Sequence, residues 1–511
     1  MKMNKIQDQK VIGVALSYMN TILNILVNLI YARILISMIG DSEFGLYQLV
    51  ASFFAYITIF ESSISNGVLR FYCDVKAKGD ETELENLLAH VKRIYRKLSI
   101  FIFIIGNVLI VVYYLVYRAK ITDFQMKESI AMLAALMINL LLTVSNSMYL
   151  AAINGNERFI FAKSIQIFVQ ICQPFVAVLI MMRHPYAYAV VAAQFMVNIL
   201  VIIMRRIYCE KRLHVTAVMH NYDIELGRSI LRYSQVVLLA VIADQIFWKA
   251  DQLILGRLYD TTRVAVYSIG SQIYVCYMHV GTAITAIFFP MISRLYHEEN
   301  GIRKLSDFFI KSGRVMYYVL YLVLSGFVIF GREFITYWVG ERYSEAYAVA
   351  LIVMVPFSIE LIQNLGLPIL QAMNKYGFRA KIYFVSAALN VITTIILAKL
   401  MGINGAALST GISMFVTSGV ILNLYYQKLG FDIAAFWKSI GWMLVKCAPY
   451  TVAMYFINAV TVSRVSGVLG MIVRIVVYIA GYIVLCYAIV VNEEEKQFIG
   501  AKLKRRTVQG G

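Results

Sequence analysis

The sequence contains many long apolar runs, and this feature limits the chain to the folds of integral membrane proteins. A hydrocarbon core about 30 Å thick is crossed by a helix of about 20 apolar residues. The composition agrees, since 60% of the residues are hydrophobic, 15% are charged and the mean hydropathy is +0.71. The hydropathy pattern predicts about fourteen spans, at residues 11–39, 44–63, 98–117, 128–151, 160–182, 186–206, 232–256, 264–289, 312–331, 346–372, 380–400, 403–427, 438–459 and 467–491.

The basic residues are distributed unevenly between the two sides of these spans. With fourteen spans both termini lie on one side, and the segments on that side hold 33 of the 47 Lys and Arg residues. Because basic residues concentrate in cytoplasmic segments, both termini are predicted to be cytoplasmic. The formal net charge of +18 is then a topology signal, with anionic lipid headgroups as its partner rather than nucleic acid.

The connections between the spans are too short to hold a soluble catalytic domain. The longest, 64–97 and 207–231, are each the length of about one short amphipathic helix. No Asp-x-Asp, His-x-x-x-His, P-loop or Gly-x-Ser-x-Gly motif stands at a membrane face. The six cysteines are scattered singly, without the spacing of metal ligands. We therefore expect neither an enzyme nor a cofactor or metal site.

An internal repeat predicts how the all-α spans are grouped. ARILISMIGDSEFGLYQLVASFF joins spans 1 and 2, and DQLILGRLYDTTRVAVYSIGSQI joins spans 7 and 8, with Tyr47 and Tyr267 in corresponding positions 220 residues apart. Each copy has a short loop that contains an aspartate, flanked by helices. Because six spans intervene, the copies run in the same direction, as in a parallel repeat. We expect two pseudo-symmetric six-helix lobes, at residues 1–210 and 211–430, and an extra helix pair with a basic tail at 431–511.

Several stretches between residues 11 and 427 occur in a specific order. They are ARILISMIGDSEFGLYQLV with the following ESSISNGVLRFY, KADQLILGRLYDTTRVAVYSIGSQI, FITYWVGERYSEAYAVALIVMVPF and LNVITTIILAKLMGINGAALSTGIS. In order and spacing they resemble the Wzx-type polysaccharide and oligosaccharide flippases, which share a superfamily with the MATE exporters and the lipid II flippases. The resemblance implies alternating-access export of an undecaprenyl-pyrophosphate-linked oligosaccharide to the outer leaflet, for O-antigen, capsule or a related glycan.

The stretch ADQIFWKADQLILG, at residues 243–256, places charged side chains inside the seventh span. On a helical wheel at about 100° per residue its polar side chains share one face, and apolar residues occupy the other. A charge at mid-bilayer costs about 2.5 kcal/mol or more, so this face is predicted to line a polar cavity. The residues of the face are Asp244, Gln245, Trp248, Lys249, Asp251 and Gln252.

Lys249 has no partner at helical spacing within its own span. It is five residues from Asp244 and two from Asp251, whereas helical pairs lie three or four residues apart. Its partner is therefore either the cargo pyrophosphate or a residue of another span. Arg33 lies at a similar depth in span 1, and three roles stay open for it: a gate with Asp251, phosphate binding and structural pairing. The aspartates of the face are the candidates for ion coupling or gating.

Three further charged residues are candidates for the transport path. Glu360 lies near the middle of span 10 between two helix-kinking prolines, Pro356 and Pro368. It could exchange a proton in each transport cycle, or it could pair with Gln363, Asn364 or a facing hydroxyl. Glu61 and Arg70 flank the cytoplasmic end of span 2 and are predicted to line the entrance.

These observations predict a multi-pass protein of the bacterial cytoplasmic membrane that translocates lipid-linked oligosaccharide repeat units. The drive is expected to be an H⁺ or Na⁺ gradient, and other membrane proteins of polysaccharide assembly are expected partners. Three alternatives stay open at this point. Two are transporters, a MATE-like ion-coupled drug exporter and a lipid II flippase. The third belongs to another class, a membrane-bound polysaccharide polymerase or ligase.

Overall fold

The structure, a computed structural model, describes residues 2–221, 223–282, 289–464, 466–493 and 495–497. Within these residues every regular element is helical and no strand is present. The helices of the first half are α1 (Lys2–Lys78), α2 (Glu81–Tyr117), α3 (Asp123–Gly155), α4 (Phe159–Met181), α5 (Tyr188–Arg212), α6 (Ile224–Leu258) and α7 (Thr261–Thr282). Those of the second half are α8 (Phe289–Tyr296), α9 (Gly301–Val339), α10 (Glu345–Ile362), α11 (Gly366–Ala372), α12 (Tyr376–Met414), α13 (Leu422–Lys428), α14 (Ile433–Thr461) and α15 (Gly467–Leu485).

The described helices include eleven segments long and apolar enough to cross a membrane. Two of them are double, because α1 is kinked at Gly40 (φ 79°) and α12 at Gly402 (φ 63°), conformations that glycine adopts without strain. The eleven segments thus account for thirteen predicted spans. The remaining one, 264–289, coincides with α7 and with residues 283–288, which lie outside the described residues. The prediction of an all-α polytopic membrane protein is confirmed.

The helices form two compact units. The first consists of residues 1–272 and 383–409, and the second of residues 273–382 and 410–511. In the first unit a core forms where α1, α2 and α3 meet, around the fully buried Val68, Leu87 and Val144. Each such side chain contributes about 1.5 to 3 kcal/mol when it leaves water. The lobe boundaries expected from the repeat stay a prediction.

Within the first unit the two copies of the sequence repeat pack directly against each other. A Cβ atom at Gly45 of α1 would overlap the backbone oxygen of Thr261, so only glycine fits there. Gly256 of α6 also packs closely, against Leu49, since a Cβ atom would lie 2.6 Å from the Leu49 Cδ1. Oγ of Ser42 and Oγ1 of Thr261 are hydrogen-bonded at 2.8 Å. Small residues allow helices in a membrane to approach this closely, and the contact joins the ends that are predicted to face outward.

In the second unit, the extra helix pair α14 and α15 packs against α9. Arg474 of α15 is buried and donates from Nη2 to Oε1 of Glu333 at 2.6 Å. Near the other end of α9, Arg314 donates to both carboxylate oxygens of Glu495, at 2.7 and 2.9 Å. Burial raises the pKa of the Glu495 carboxyl, but hydrogen bonds, led by that from Arg314, lower it more, so the net pKa lies below its usual value. Charged hydrogen bonds therefore hold α15, and the segment that follows it, against α9.

Candidate functional site

The polar face predicted for the seventh span lies on α6, and the structure divides it into a buried and a half-buried part. Asp251 and Gln252 are buried. The other four residues of the face, Asp244, Gln245, Trp248 and Lys249, are half-buried. The apolar side packs inward, since Ala243, Phe247 and Ala250 are buried. The two parts have different surroundings, and each supports a different role.

Asp251 is the centre of a buried oxygen-rich cluster in the first unit. Its side chain is 2% exposed, and its carboxylate accepts hydrogen bonds from Tyr267 of α7 and, at 2.9 Å, from Oγ1 of Thr394 of α12. Next to Thr394, Asn390 Oδ1 accepts a hydrogen bond from Ser409 Oγ at 2.9 Å. Carboxylate, amide and hydroxyl oxygens suit a proton or a hard cation. The cluster, defined here as Asp251, Tyr267, Asn390, Thr394 and Ser409, is called the Asp251 cluster below.

Gln252 connects helices rather than facing open space in this conformation. Its Oε1 accepts a hydrogen bond from Ser52 of α1, and its Nε2 donates to Ser268 Oγ of α7 at 3.1 Å. Ser52 lies about two turns along α1 from the close contact at Gly45. A cavity-lining role for Gln252 stays a prediction that would require α1 and α6 to separate.

Lys249 has neither a hydrogen bond nor an ion pair among the described residues. Its neighbour Trp248 packs edge-on against Phe247, with ring centroids 5.0 Å apart. Arg33 is exposed on α1, whereas Asp251 is held by hydroxyl groups, so the gate between the two stays a prediction. Lys249 is therefore a half-buried cation that can accept an external anion.

An amide-lined cavity of about 320 Å³ lies in the first unit, between the first part of α1, α4 and α7. Within the described residues its lining carries no charged side chain. Buried oxygens of Tyr31, Gln170 and Gln272 have no hydrogen-bond partner in the structure. Such groups are costly to bury unless a ligand or water completes them. The polar side chains of the lining are Asn24, Asn28, Tyr31, Tyr47, Gln48, Gln170, Gln173 and Gln272.

A second cavity, of about 280 Å³, adjoins the first, because Val169 and Gln173 of α4 line both. Its wall includes Asn198 of α5, which donates to Asn139 Oδ1 at 2.5 Å and to Thr143 Oγ1 at 2.8 Å. Arg205 also lines it and is the one charged residue of its described lining. The two cavities together are called the amide cavities below.

The predicted entrance residues lie near the end of α1. Glu61 is half-buried, and its Oε1 accepts hydrogen bonds from Ser65 at 2.7 Å and from Ser147 of α3 at 3.1 Å. Arg70 is exposed, and its guanidinium carbon lies 4.6 Å from the ring centroid of Tyr233 on α6. Both positions fit the surface of the first unit, and the entrance role stays a prediction.

Glu360 belongs to a buried ion pair in the second unit. Its Oε1 accepts a hydrogen bond from Arg379 Nη2 at 2.9 Å, and its Oε2 accepts one from Ser418 Oγ at 2.9 Å. Both residues are buried, each 8% exposed. Ser418 supplies the facing hydroxyl that was expected as a partner of Glu360. Arg379 was not expected as a partner, because it lies in the connection between the predicted spans 346–372 and 380–400. That connection is on the side predicted to be cytoplasmic, so its basic residues were expected at the surface.

We predict that Arg379→Met destabilises the protein strongly, since a buried carboxylate that loses its ion-pair partner costs about 3 to 5 kcal/mol. The double variant Glu360→Gln with Arg379→Met should regain most of this stability, because it buries no charge at the site. Thermal unfolding of the purified variants in detergent checks the order of stabilities. A double variant no more stable than Arg379→Met alone would contradict the role of the ion pair.

The amide cavities were not predicted residue by residue, although the sequence carries a signal for them. Uncharged amides recur at helical spacing inside apolar spans, as in Asn24 and Asn28, Gln170 and Gln173, and Gln194 and Asn198. Such pairs place two amides on one helix face. Gln170 and Gln173 are uncharged, so the charges within the spans did not indicate their face of α4.

The chain is similar to proteins that are described as flippases and transporters. A probable low-salt glycan biosynthesis flippase of Haloferax volcanii is 23% identical over 219 residues, which cover 43% of this chain and less than half, 46%, of that protein. The lipid II flippase MurJ, in an inward closed conformation, has a TM-score of 0.74 at 12% identity over 93% of this chain and 98% of MurJ. An inward-facing multidrug resistance MATE transporter has a TM-score of 0.60 at 14% identity, over 81% of this chain and 96% of its own.

The two structural likenesses establish the fold, which is that of polytopic membrane transporters. The family follows from the sequence itself. The sequence model of the polysaccharide biosynthesis proteins matches residues 30–348, more than half of the chain. This match covers the first copy of the repeat, the second copy and the polar face of α6. The chain therefore belongs to the polysaccharide biosynthesis protein family, as its resemblance to the Wzx-type flippases indicated.

Proposed function

We propose that the protein translocates lipid-linked oligosaccharide repeat units, carried on undecaprenyl pyrophosphate, from the inner to the outer leaflet of a bacterial cytoplasmic membrane. The product would serve surface polysaccharide biosynthesis. The observation that carries the proposal is the pair of amide cavities in a chain of the polysaccharide biosynthesis family. The polyprenyl tail can stay in the lipid while the headgroup crosses, so no covalent bond needs to change.

The amide cavities have the chemistry that sugar hydroxyls require. A hydroxyl both donates and accepts hydrogen bonds, and an amide side chain offers two donors and one accepting oxygen. The partnerless oxygens of Tyr31, Gln170 and Gln272 are acceptors already in place for such donors. The first cavity has no charged side chain in its described lining, so it can bind a neutral sugar without the cost of desolvating an ion. This supports a cargo whose polar part is a glycan.

The pyrophosphate needs cations, and the first unit offers Lys249 and Arg33. Phosphate oxygens accept charge-assisted hydrogen bonds from lysine and arginine. Lys249 has no partner among the described residues in this conformation, which favours the cargo over a salt bridge to another span. Arg33 is exposed and free to reach an anion from the surface of α1. We therefore propose that these cations hold the pyrophosphate during part of the cycle.

Coupling to an ion gradient is proposed for the Asp251 cluster. Its carboxylate can take up a proton or, with the neighbouring amide and hydroxyl oxygens, Na⁺. The cluster lies beside the contact between α1 and α6, so a change in its charge would act on a contact that alternating access has to open. Asp244, two turns away on the same face, is the other candidate for this role.

A cellular test separates the proposed function from its alternatives. Deletion of the gene should remove the surface polysaccharide and cause its lipid-linked precursor to accumulate in the inner leaflet. Unchanged glycan with new sensitivity to dyes or drugs would instead indicate an exporter. Arrest of cell-wall synthesis would indicate a lipid II flippase. Polysaccharide of altered chain length with normal translocation would indicate a polymerase or ligase.

Two variants should separate sugar binding from phosphate binding. The precursor accumulated by the deletion strain, and undecaprenyl pyrophosphate without sugar, serve as cargoes in proteoliposomes. Gln173→Leu removes hydrogen bonds from both cavities and should slow only the glycan cargo, by up to about tenfold. Lys249→Ala should slow both cargoes, by about tenfold to a hundredfold, because a charged hydrogen bond is lost.

The controls for these variants are matched in chemistry. Gln427→Leu changes an exposed glutamine of α13 and should leave both cargoes unaffected. Lys249→Arg keeps the charge and should retain most of the activity. Equal slowing of both cargoes by Gln173→Leu would remove the amide cavities from sugar recognition. Full activity of Lys249→Ala would remove Lys249 from the mechanism.

A further inference from the structure

A groove on the first unit lies away from the amide cavities and is not used in the proposed transport cycle. It has a volume of about 370 Å³ and lies between the later part of α1, the middle of α2 and the first turns of α6. One wall is apolar and is formed by Ile94, Leu98 and Phe101 of α2 with Leu231 of α6. Phe101 is 44% exposed and Leu231 is 42% exposed. The apolar wall therefore continues onto the outer surface of the unit.

The rim of the groove is basic. Arg93 and Lys97 lie one turn apart on α2, and Arg228 lies opposite them on α6. All three side chains are exposed. Arg228 also contacts Glu225 at 2.7 Å, but both are more than half exposed, and such surface pairs contribute only about 0 to 1 kcal/mol. The arginine can therefore turn towards an anion in the groove at little cost.

The remaining polar residues of the groove do not cancel this charge. Asp223 is its one described acidic residue, and its Oδ1 caps α6 by accepting hydrogen bonds from the backbone of Glu225 at 2.8 Å and Leu226 at 3.2 Å. His90 Nε2 lies 3.0 Å from the backbone nitrogen of Asp223, and His90 Nδ1 lies 2.8 Å from the backbone oxygen of Asn86, so both ring nitrogens are engaged. Lys97 and Arg228 thus face one carboxylate that is already engaged, and Arg93 adds a third basic side chain to the rim.

The groove lies at the depth of a lipid headgroup. Arg93 and Lys97 belong to the basic segment that directly precedes the predicted span at 98–117, and Arg228 precedes the one at 232–256. Both connections belong to the side predicted to be cytoplasmic. Anionic headgroups attract basic residues at such a surface, and arginine binds a phosphate through two parallel hydrogen bonds.

We propose that this groove binds one anionic glycerophospholipid of the adjacent leaflet. The lipid phosphate lies between Arg93, Lys97 and Arg228, and one acyl chain follows the wall formed by Leu98, Phe101 and Leu231. The lipid is a structural ligand that joins α2 to α6 and is distinct from the transported cargo. Because it binds only the folded unit, it stabilises the protein by an amount that rises with the logarithm of its concentration once that exceeds the Kd.

Gly227 allows the groove to be filled without disturbing the helix. It lines the groove, and a Cβ atom placed on it would meet nothing within 4 Å. Gly227→Leu therefore projects an apolar side chain into the space for the acyl chain. Gly227→Ala is the matched control, because it makes the same backbone change and leaves the space open. Alanine and leucine also favour a helix over glycine, so neither variant should unfold α6.

The test measures thermal stability of the full chain in neutral detergent micelles as phosphatidylglycerol, phosphatidylcholine or inorganic phosphate is added. Phosphatidylglycerol should raise the melting temperature of the wild type and of Gly227→Ala. It should not raise that of Gly227→Leu, and the double variant Arg93→Gln with Lys97→Gln should need at least tenfold more of it. Arg294→Gln, a change at an exposed arginine of α8 in the second unit, should behave as wild type.

Each other outcome overturns the proposal in a distinct way. An equal response to phosphatidylcholine would show that the basic rim plays no part. An equal response to inorganic phosphate would identify a phosphate site rather than a lipid site. A response to undecaprenyl phosphate alone would assign the groove to the cargo. A wild-type response of Gly227→Leu would place the lipid elsewhere, and none of these results depends on whether the protein transports a glycan.

Discussion

Oxidation of the double variant Ser42→Cys with Thr261→Cys is expected to reduce transport to the background level. The two hydroxyl oxygens are hydrogen-bonded at 2.8 Å, so two sulfurs in their place are within reach of a disulfide. The proposed alternating access requires the kink region of α1 to separate from the first turn of α7, and a covalent bond between them prevents this. Reduction should restore transport fully, because the unlinked cysteines are close in size to the native side chains.

The measurement is uptake of lipid-linked oligosaccharide by proteoliposomes before and after reduction. The exposed native Cys73 is replaced by serine throughout, since it could form other disulfides. Each single cysteine variant, treated with the same oxidant, controls for damage elsewhere. Normal transport by a fully cross-linked protein would show that this contact stays closed during the cycle. The proposed opening at Gly45 and Thr261 would then be wrong.

The fold could be predicted because the membrane leaves few choices. Backbone groups in the hydrocarbon core must bond within their own segment, so each long apolar run has to be a helix. What the hydropathy pattern did not indicate is how two runs are joined. The short loop expected around Asp41 is a sharp kink at Gly40 between two helical segments, and Gly402 similarly separates the two halves of α12. A positive φ at a single glycine replaces a loop without changing the hydropathy.

The site could be predicted only along one helix. The wheel grouped the polar residues of α6 correctly, because helical periodicity is local information. The partners that distinguish Asp251 from Lys249 come from far along the chain, at Tyr267 and Thr394. Arg379 was missed for the opposite reason, since the rule that basic residues mark the cytoplasmic side placed it at a surface. Contacts between residues far apart in the chain decide which charges are buried, and a single sequence does not show which residues make those contacts.

The Asp251 cluster gives the second large effect, because Asp251→Asn removes the charge and keeps the shape. Thr394 and Tyr267 can still bond the amide, so the fold should be retained. Without a carboxylate the cluster can no longer take up a proton or balance a bound cation. We expect transport driven by an imposed Na⁺ or proton gradient to fall at least about a hundredfold, equivalent to about 2.7 kcal/mol. Downhill exchange of cargo without a gradient should fall much less.

The variant Asp244→Asn tests whether the loss of gradient-driven transport is specific to Asp251. Asp244 lies on the same face of α6, about 10 Å away along the helix, but it is half-buried. Thr394→Val, which removes one hydrogen bond from the cluster and leaves its charge, should reduce driven and downhill transport equally. If Asp244→Asn alone abolishes the dependence on the gradient, coupling resides at the half-buried end of the face and Asp251 is structural. If neither variant changes it, the coupling ion acts outside α6, and the buried carboxylate only fixes α6 to α7 and α12.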